Sequence, residues 1–150
     1  MEILIRKDWR DVRLTKDFPL GGFFISKSFP EIAEKMYPDD LIVERLYNLC
    51  VYLLQPTRDR FGVVLIMSAY RNPQLNYSVG GVWKGDHSRG TGVDYFCPYA
   101  PGTPSMGIVY RWTLDELNWL GELIWYKKKG HIHGASPRFG QKIDQFVKDA

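Results

Sequence analysis

The sequence predicts an α+β fold: a small central sheet, antiparallel or mixed, with helices flanking it. Three observations carry this. From Asp40 onward, Ile42, Leu46, Leu49, Cys50, Leu53 and Leu54 recur at helical spacing behind an acidic N-cap, which predicts the main core helix. The run Val63-Val64-Leu65-Ile66-Met67 is continuous, apolar and partly β-branched, and is bounded by Gly62 and Ser68, which predicts a central strand. Two further short strand patterns, at 93–96 and 131–135, follow it.

Taken in order, residues 2–6 alternate weakly and predict a short strand. Ser28-Phe29-Pro30-Glu31 has the form of a helix start, with Ser28 at the N-cap and Pro30 at the first helical position. Pro56 is expected to kink or end the core helix. Asn72-Pro73-Gln74-Leu75-Asn76 nucleates a short helix that Gly80-Gly81 breaks. Residues 79–92 are glycine-rich and predict a loop, and 98–104, rich in Pro and Gly, predict a flexible flap. Thr113-Leu114-Asp115-Glu116 has the form of a capping box, predicting a helix over 114–124. A terminal helix is predicted over 139–147, with Phe139, Ile143, Phe146 and Val147 inward.

The composition bounds the answer. The 150 residues suit one domain, 1–150, and 45% hydrophobic, 15% aromatic and 25% charged residues are those of a folded globular chain. Twenty Lys and Arg against 17 Asp and Glu give a net charge of only +3, too mild for a dedicated nucleic-acid binder. The basic run Lys127-Lys128-Lys129 reads as a solvated turn that would favour a polyanionic surface such as a cell wall. Cys50 and Cys97 lie in apolar surroundings without CxxC spacing, which excludes a cysteine zinc finger and predicts buried thiols. No basic segment with a long apolar core opens the chain, and no stretch approaches the roughly 18 apolar residues of a membrane span. The expectation is a protein made in the cytoplasm without a signal peptide and without a membrane partner.

The three histidines of the chain are His87, His131 and His133. In Asp86-His87-Ser88-Arg89-Gly90-Thr91-Gly92-Val93-Asp94, a loop histidine precedes by seven residues an aspartate that enters a strand. Imidazole nitrogen and carboxylate oxygen both bind zinc, and a glycine-rich spacer lets the loop fold back to aim both at one ion. In His131-Ile132-His133, strand alternation puts both histidines on one face, and only one is needed as a third ligand. Two His and one Asp leave a fourth position for water, the pattern of catalytic zinc. Each histidine alone reads as well as an ordinary hydrogen-bonded side chain; the conjunction is what points to Zn2+.

With these motifs in view, the chain resembles the zinc D-alanyl-D-alanine carboxypeptidases, the phage L-alanyl-D-glutamate endopeptidases and the related hedgehog fold. Residues 54–62 are similar to the family's helix end before its first central strand. Ser68-Ala69-Tyr70-Arg71-Asn72-Pro73-Gln74-Leu75-Asn76, followed by Val79-Gly80-Gly81, resembles its S-x-Y-R-[ST]-P-x-x-N…VGG segment, and 87–94 its H-x-x-G-x-A-x-D metal motif. The resemblance covers about residues 29–135. It implies a hedgehog/DD-peptidase-like fold, His87, Asp94 and His133 as zinc ligands, and Arg71 beside a substrate carboxylate. A guanidinium just past a core strand suits bidentate carboxylate binding, or equally the pinning of a loop through backbone carbonyls.

The chain departs from the family at the general base. Many members carry a glutamate three residues before the last His ligand, where this chain has Gly130, and hedgehog-like relatives carry one six residues before, where Lys127 stands. General-base help is worth about 10²- to 10⁴-fold, although zinc alone brings its water to a pKa near 7. His131, Asp86 and Glu122 are the substitutes, and His131 is preferred because it shares a strand face with His133; orienting a ligand or Asp94 is its other role. The resemblance thus implies a zinc hydrolase of peptidoglycan stem peptides, a bacteriophage lysin or virion-associated enzyme released to the host cell wall on lysis. The alternative is a degenerate zinc-binding domain that serves among other virion proteins as a structural or wall-binding part.

Overall fold

The computed structural model describes residues 8–102 and 106–138, together with the backbone of 144–148. The strand expected at 2–6 lies outside these residues, as do 103–105 of the expected flap. A short hairpin comes first, β1 (Arg13–Thr15) antiparallel to β2 (Phe18–Pro19), framed by single 3-10 turns at Trp9–Asp11 and Leu20–Phe23. Next comes α1 (Pro30–Lys35), with Pro30 in its first turn as expected, although the N-cap is Phe29 and not Ser28. The Ser26 hydroxyl accepts from the Phe29 N–H at 3.1 Å, so the chain turns one step later than the sequence suggests.

The core helix α2 (Asp40–Leu49) begins at Asp39, whose carboxylate accepts from the Ile42 N–H at 2.8 Å. Pro56 does not end it. The helix widens into a π turn at Cys50–Leu54 and continues as α3 (Gln55–Phe61), so that Pro56, which cannot donate, sits just past the widened turn. Gly62, at φ 82°, closes α3 in a conformation that favours glycine. Ile42, Leu46, Leu49, Cys50, Leu53 and Leu54 are all buried, as their spacing predicts.

The larger sheet is mixed, with strand order β3-β4-β6-β5-β7. Its members are β3 (Leu65–Ser68), β4 (Gly92–Phe96), β5 (Glu122–Tyr126), β6 (His131–Ala135) and β7 (Asp144–Lys148). Between β3 and β4 lie α4 (Pro73–Ser78) and the single turn α5 (Asp86–Arg89). Among the described residues the apolar strand expected to be central, β3, is an edge strand instead, with Leu65 49% and Met67 48% exposed. The middle belongs to β4 and β6, which carry the histidine and aspartate motifs.

Two helix expectations are overturned. The helix near Thr113 is α6 (Gly107–Glu116), which ends where the capping box was expected to begin one. Thr113 is buried inside it and its hydroxyl donates back to the Val109 carbonyl at 2.8 Å, so it is not free to cap. Residues 122–126 are a strand and pair with β6 through a turn at 127–130, in which Lys127, Lys128 and Lys129 are exposed as expected. The terminal helix is likewise absent over 144–148, which run parallel to β5 from Glu122↔Asp144 to Tyr126↔Lys148; residues 139–143 lie outside the described set. Without that partner the edge of β5 would present unpaired backbone groups, and satisfying them outweighs the helix expected at 144–147.

Strand alternation divides the sheet into a dry face and a chemical one. Val93, Tyr95, Leu123 and Ile132 are fully buried, in one core cluster with Leu46, Leu49 and Leu53. At Gly134 a Cβ would lie 2.6 Å from Leu53 Cδ2, so the glycine is what lets helix and sheet approach. Cys50 and Cys97 are free and buried as expected, and burial pushes the Cys97 thiol up to about 12. The opposite register positions are Asp94, His133, Ile124, Glu122 and His131. Among the described residues no helix is long and apolar enough to cross a membrane.

Candidate metal centre

His87, Asp94 and His133 converge on the chemical face. Asp94 on β4 is directly opposite His133 on β6, and the Oδ1 of Asp94 lies 2.8 Å from His133 Nδ1. The α5 turn brings His87 over the end of β4, with its Nε2 3.3 Å from Asp94 Oδ2. All three side chains are largely buried, and the donor atoms lie within 4.8 Å of one another, the separation a single ion spans.

The hydrogen bonds around the histidines prepare them as ligands. His87 Nδ1 is 2.7 Å from the Ala69 carbonyl, which can only accept, so Nδ1 carries the hydrogen and Nε2 is left to face Asp94. A lone pair facing a carboxylate at 3.3 Å requires a cation or a proton between them. His133 is held from its other side: its Nε2 is 3.3 Å from Glu122 Oε1 and 3.9 Å from Asp86 Oδ2. A ligating histidine whose second nitrogen donates to a carbonyl or carboxylate is the usual orientation device of a zinc site, and here both histidines have one. The donor set and its surroundings therefore fit a metal ion. Asp86, Glu122 and His133 form a second group able to hold one, although Asp86 is already engaged by Arg138 at 3.1 Å and by the Thr91 hydroxyl at 3.1 Å.

The charges are consistent with this. Burial works against an ionised Asp94, yet hydrogen bonds from His133 and His87 hold its carboxyl well below the usual range. The nearby His133 does the same for Asp86, against burial and helped by Arg138. Burial opposes charge on His133 too, but its three carboxylate neighbours raise its proton affinity well above the usual imidazole value. Without metal, His133 is thus an imidazolium clamped between carboxylates. His131 differs: burial lowers its affinity for a proton, its ring packs on Tyr126 at 4.8 Å, and its shielded Nδ1 has no partner among the described residues.

Two glycine features of the motifs follow from close approach. Gly92 stands where the metal motif of the resembling family has alanine; a Cβ there would sit 2.7 Å from Asp86 Cβ and 2.9 Å from His133 Cε1. At Gly81 a Cβ would run into the Asn76 carboxamide, which seats the loop by donating to the Val82 carbonyl at 3.0 Å. A cleft of about 470 Å³ opens over the centre, lined among others by Arg71, Asn76, Glu122, Tyr126 and His131. Arg71 donates to the Ser68 hydroxyl at 3.0 Å, and its backbone N–H donates to the His87 carbonyl, so it both pins the loop and presents a guanidinium to the cleft.

All the residues singled out in the sequence, His87, Asp94, His133, Arg71 and His131, thus line one cleft. The sequence reading ranked Glu122 and Asp86 low and only as bases, whereas the structure sets both against His133. The missed signal was the run of apolar, β-branched and aromatic residues in Glu122-Leu123-Ile124-Trp125-Tyr126, which as a strand puts Glu122 on the His133 face. Gly130 and Lys127, where the family's bases would fall, belong to the hairpin turn, with Gly130 at φ 74°. Fold and site together define an α+β protein with a histidine and carboxylate centre able to hold a metal ion. No family model, no curated protein and no solved structure matches the chain.

Proposed function

We propose that this chain is a zinc-dependent peptidase of peptidoglycan stem peptides, with a hedgehog/DD-peptidase-like fold, acting as a phage lysin or virion-associated murein hydrolase. The observation that carries the reading is the convergence of His87 Nε2, Asp94 and His133 Nδ1 beneath a cleft that also presents Arg71. Motif order in the sequence supports the family, and the second nitrogens of both histidines support zinc. Zinc held there would supply a Lewis acid and a water nucleophilic near neutral pH. The chain's own residues do the rest. The Arg71 guanidinium offers a planar fork to a peptide carboxylate. Glu122 faces His133 Nε2 at 3.3 Å and fixes its ring, with the Asp86 carboxylate further off at 3.9 Å. His131, which lines the cleft and whose ring burial disposes to the neutral form, is the residue that takes a proton there.

The test is release of soluble peptide from purified murein by zinc-loaded wild type, His131→Gln and a chelator-treated control. The reading expects chelator-sensitive turnover that His131→Gln lowers by about 10²-fold or more at equal zinc content. Zinc-loaded wild type with no turnover would instead favour the degenerate scaffold, for which the turn residues Gly130 and Lys127 at the usual base positions speak. Turnover that the chelator leaves untouched would contradict the metal role.

A further inference from the structure

A second polar cleft of about 350 Å³ opens where α2, the end of α5 and the segment after β6 meet. Arg45, Arg89 and Arg138 reach it from these three places, and Asn48, Ser136 and Trp119 complete its wall. Arg138 meets Asp86 at 3.1 Å, whereas among the described residues no carboxylate pairs with Arg45 or Arg89. Both are half-buried. Arg45 Nη1 donates to the Arg89 backbone carbonyl at 2.9 Å, which fixes one guanidinium against the wall and leaves its other donors for a ligand. The Ser136 hydroxyl is shielded from solvent and has no hydrogen-bond partner among the described residues. Trp119, stacked on Tyr52 with ring centroids 5.0 Å apart, gives the cleft a rigid side.

Three arginines line this one concavity, and a single carboxylate, Asp86 on Arg138, offsets only part of their charge. Arginines brought to one cleft from three elements suit the several oxygens of a multiply charged oxyanion, which would also give Ser136 the acceptor it lacks. We propose that this cleft is an anion site for a phosphate-type or dicarboxylate group carrying about two negative charges. The site does not depend on the metal reading. It adjoins the metal centre, however, because Arg138 lines both clefts, so an anion here draws on the guanidinium that holds Asp86.

The experiment is calorimetric titration of the folded chain, freed of metal, with inorganic pyrophosphate and separately with glutarate at low ionic strength. The variants are Arg45→Gln, Arg89→Gln and, as a charge-matched control on the hairpin turn, Lys128→Gln. The site predicts saturable 1:1 binding of at least one anion, weakened about 10-fold or more by Arg45→Gln and by Arg89→Gln and hardly at all by Lys128→Gln. The tighter anion identifies the source as phosphate or carboxylate. Arg89 makes no side-chain bond among those described, so Arg89→Gln tests the site even if Arg45→Gln fails to fold. No saturable binding of either anion below about 10 mM overturns the proposal, and so does an Arg89→Gln variant that binds as wild type does.

Discussion

Replacing Gly92 with alanine makes this chain more like the family its metal motif resembles, yet the structure predicts that it damages the site. The added methyl would lie 2.7 Å from Asp86 Cβ and 2.9 Å from His133 Cε1, against an ordinary carbon contact of about 3.5–4.0 Å. Neither neighbour is a flexible tip. Asp86 Cβ is tied to the α5 backbone, and the His133 ring is held by Asp94 on one side and Glu122 on the other. Relief therefore needs a shift of about 0.5–1 Å in a ligand or in the residue that orients it. Overpacking of this kind costs about 1–3 kcal/mol, which for a chain of this size lowers Tm by roughly 2–10 °C. A ligand displaced that far should weaken zinc binding by about 10- to 100-fold. Differential scanning fluorimetry of the chelator-treated proteins reads the first effect, and competition with a chromogenic chelator reads the second. A Gly92→Ala protein with the wild-type Tm and zinc affinity would refute the reasoning.

Glu122→Gln should retain stoichiometric zinc but lower its affinity by about 10-fold or more, because the amide cannot match a carboxylate as acceptor for His133 Nε2; unchanged affinity would mean that Glu122 does not orient the ring. Arg71→Lys should weaken binding of a carboxylate-bearing peptide without lowering Tm appreciably, whereas an equal loss for a peptide amide would show that Arg71 only pins the loop. The metal-free chain should be most stable at about pH 6.5 in urea denaturation, because His131, whose proton affinity burial lowers, loses its contribution as pH falls below that value. His133, with its proton affinity raised in the fold, stabilises fully below its ordinary value of 6.5 and loses that contribution as pH rises through the raised one. Asp94 and Asp86, lowered, stabilise above their ordinary value of 3.8 and lose that contribution as pH falls. Stability that climbs steadily from pH 6.5 to 9 would contradict the clamped imidazolium.

The chemical face was legible because its residues are local. The His87 to Asp94 spacing and the His131-Ile132-His133 alternation are short-range patterns, and the strands that carry them lie where the alternation put them. Pairing between strands was not legible. That β3 lies at an edge depends on which strand β6 joins, and the apolar run at 63–67 is the same whether one neighbour covers it or two. Thr113 shows the same limit at a helix: Thr-x-x-Glu reads as a start, but buried in α6 its hydroxyl turns back to Val109. A helix expected over 114–124 hides Glu122 at its end, and with it the carboxylate beside His133. The unpaired edge of β5, which takes up 144–148, is a property of the assembled sheet and leaves no local mark on the sequence.

The central claim is that His87, Asp94 and His133 hold one metal ion, and elemental analysis of the chain purified without chelators tests it most directly. The account predicts close to one zinc per wild-type chain, and a loss of that zinc in a folded Asp94→Ala protein. A wild-type chain that takes up no zinc, or an Asp94→Ala chain that keeps a full equivalent, would contradict it.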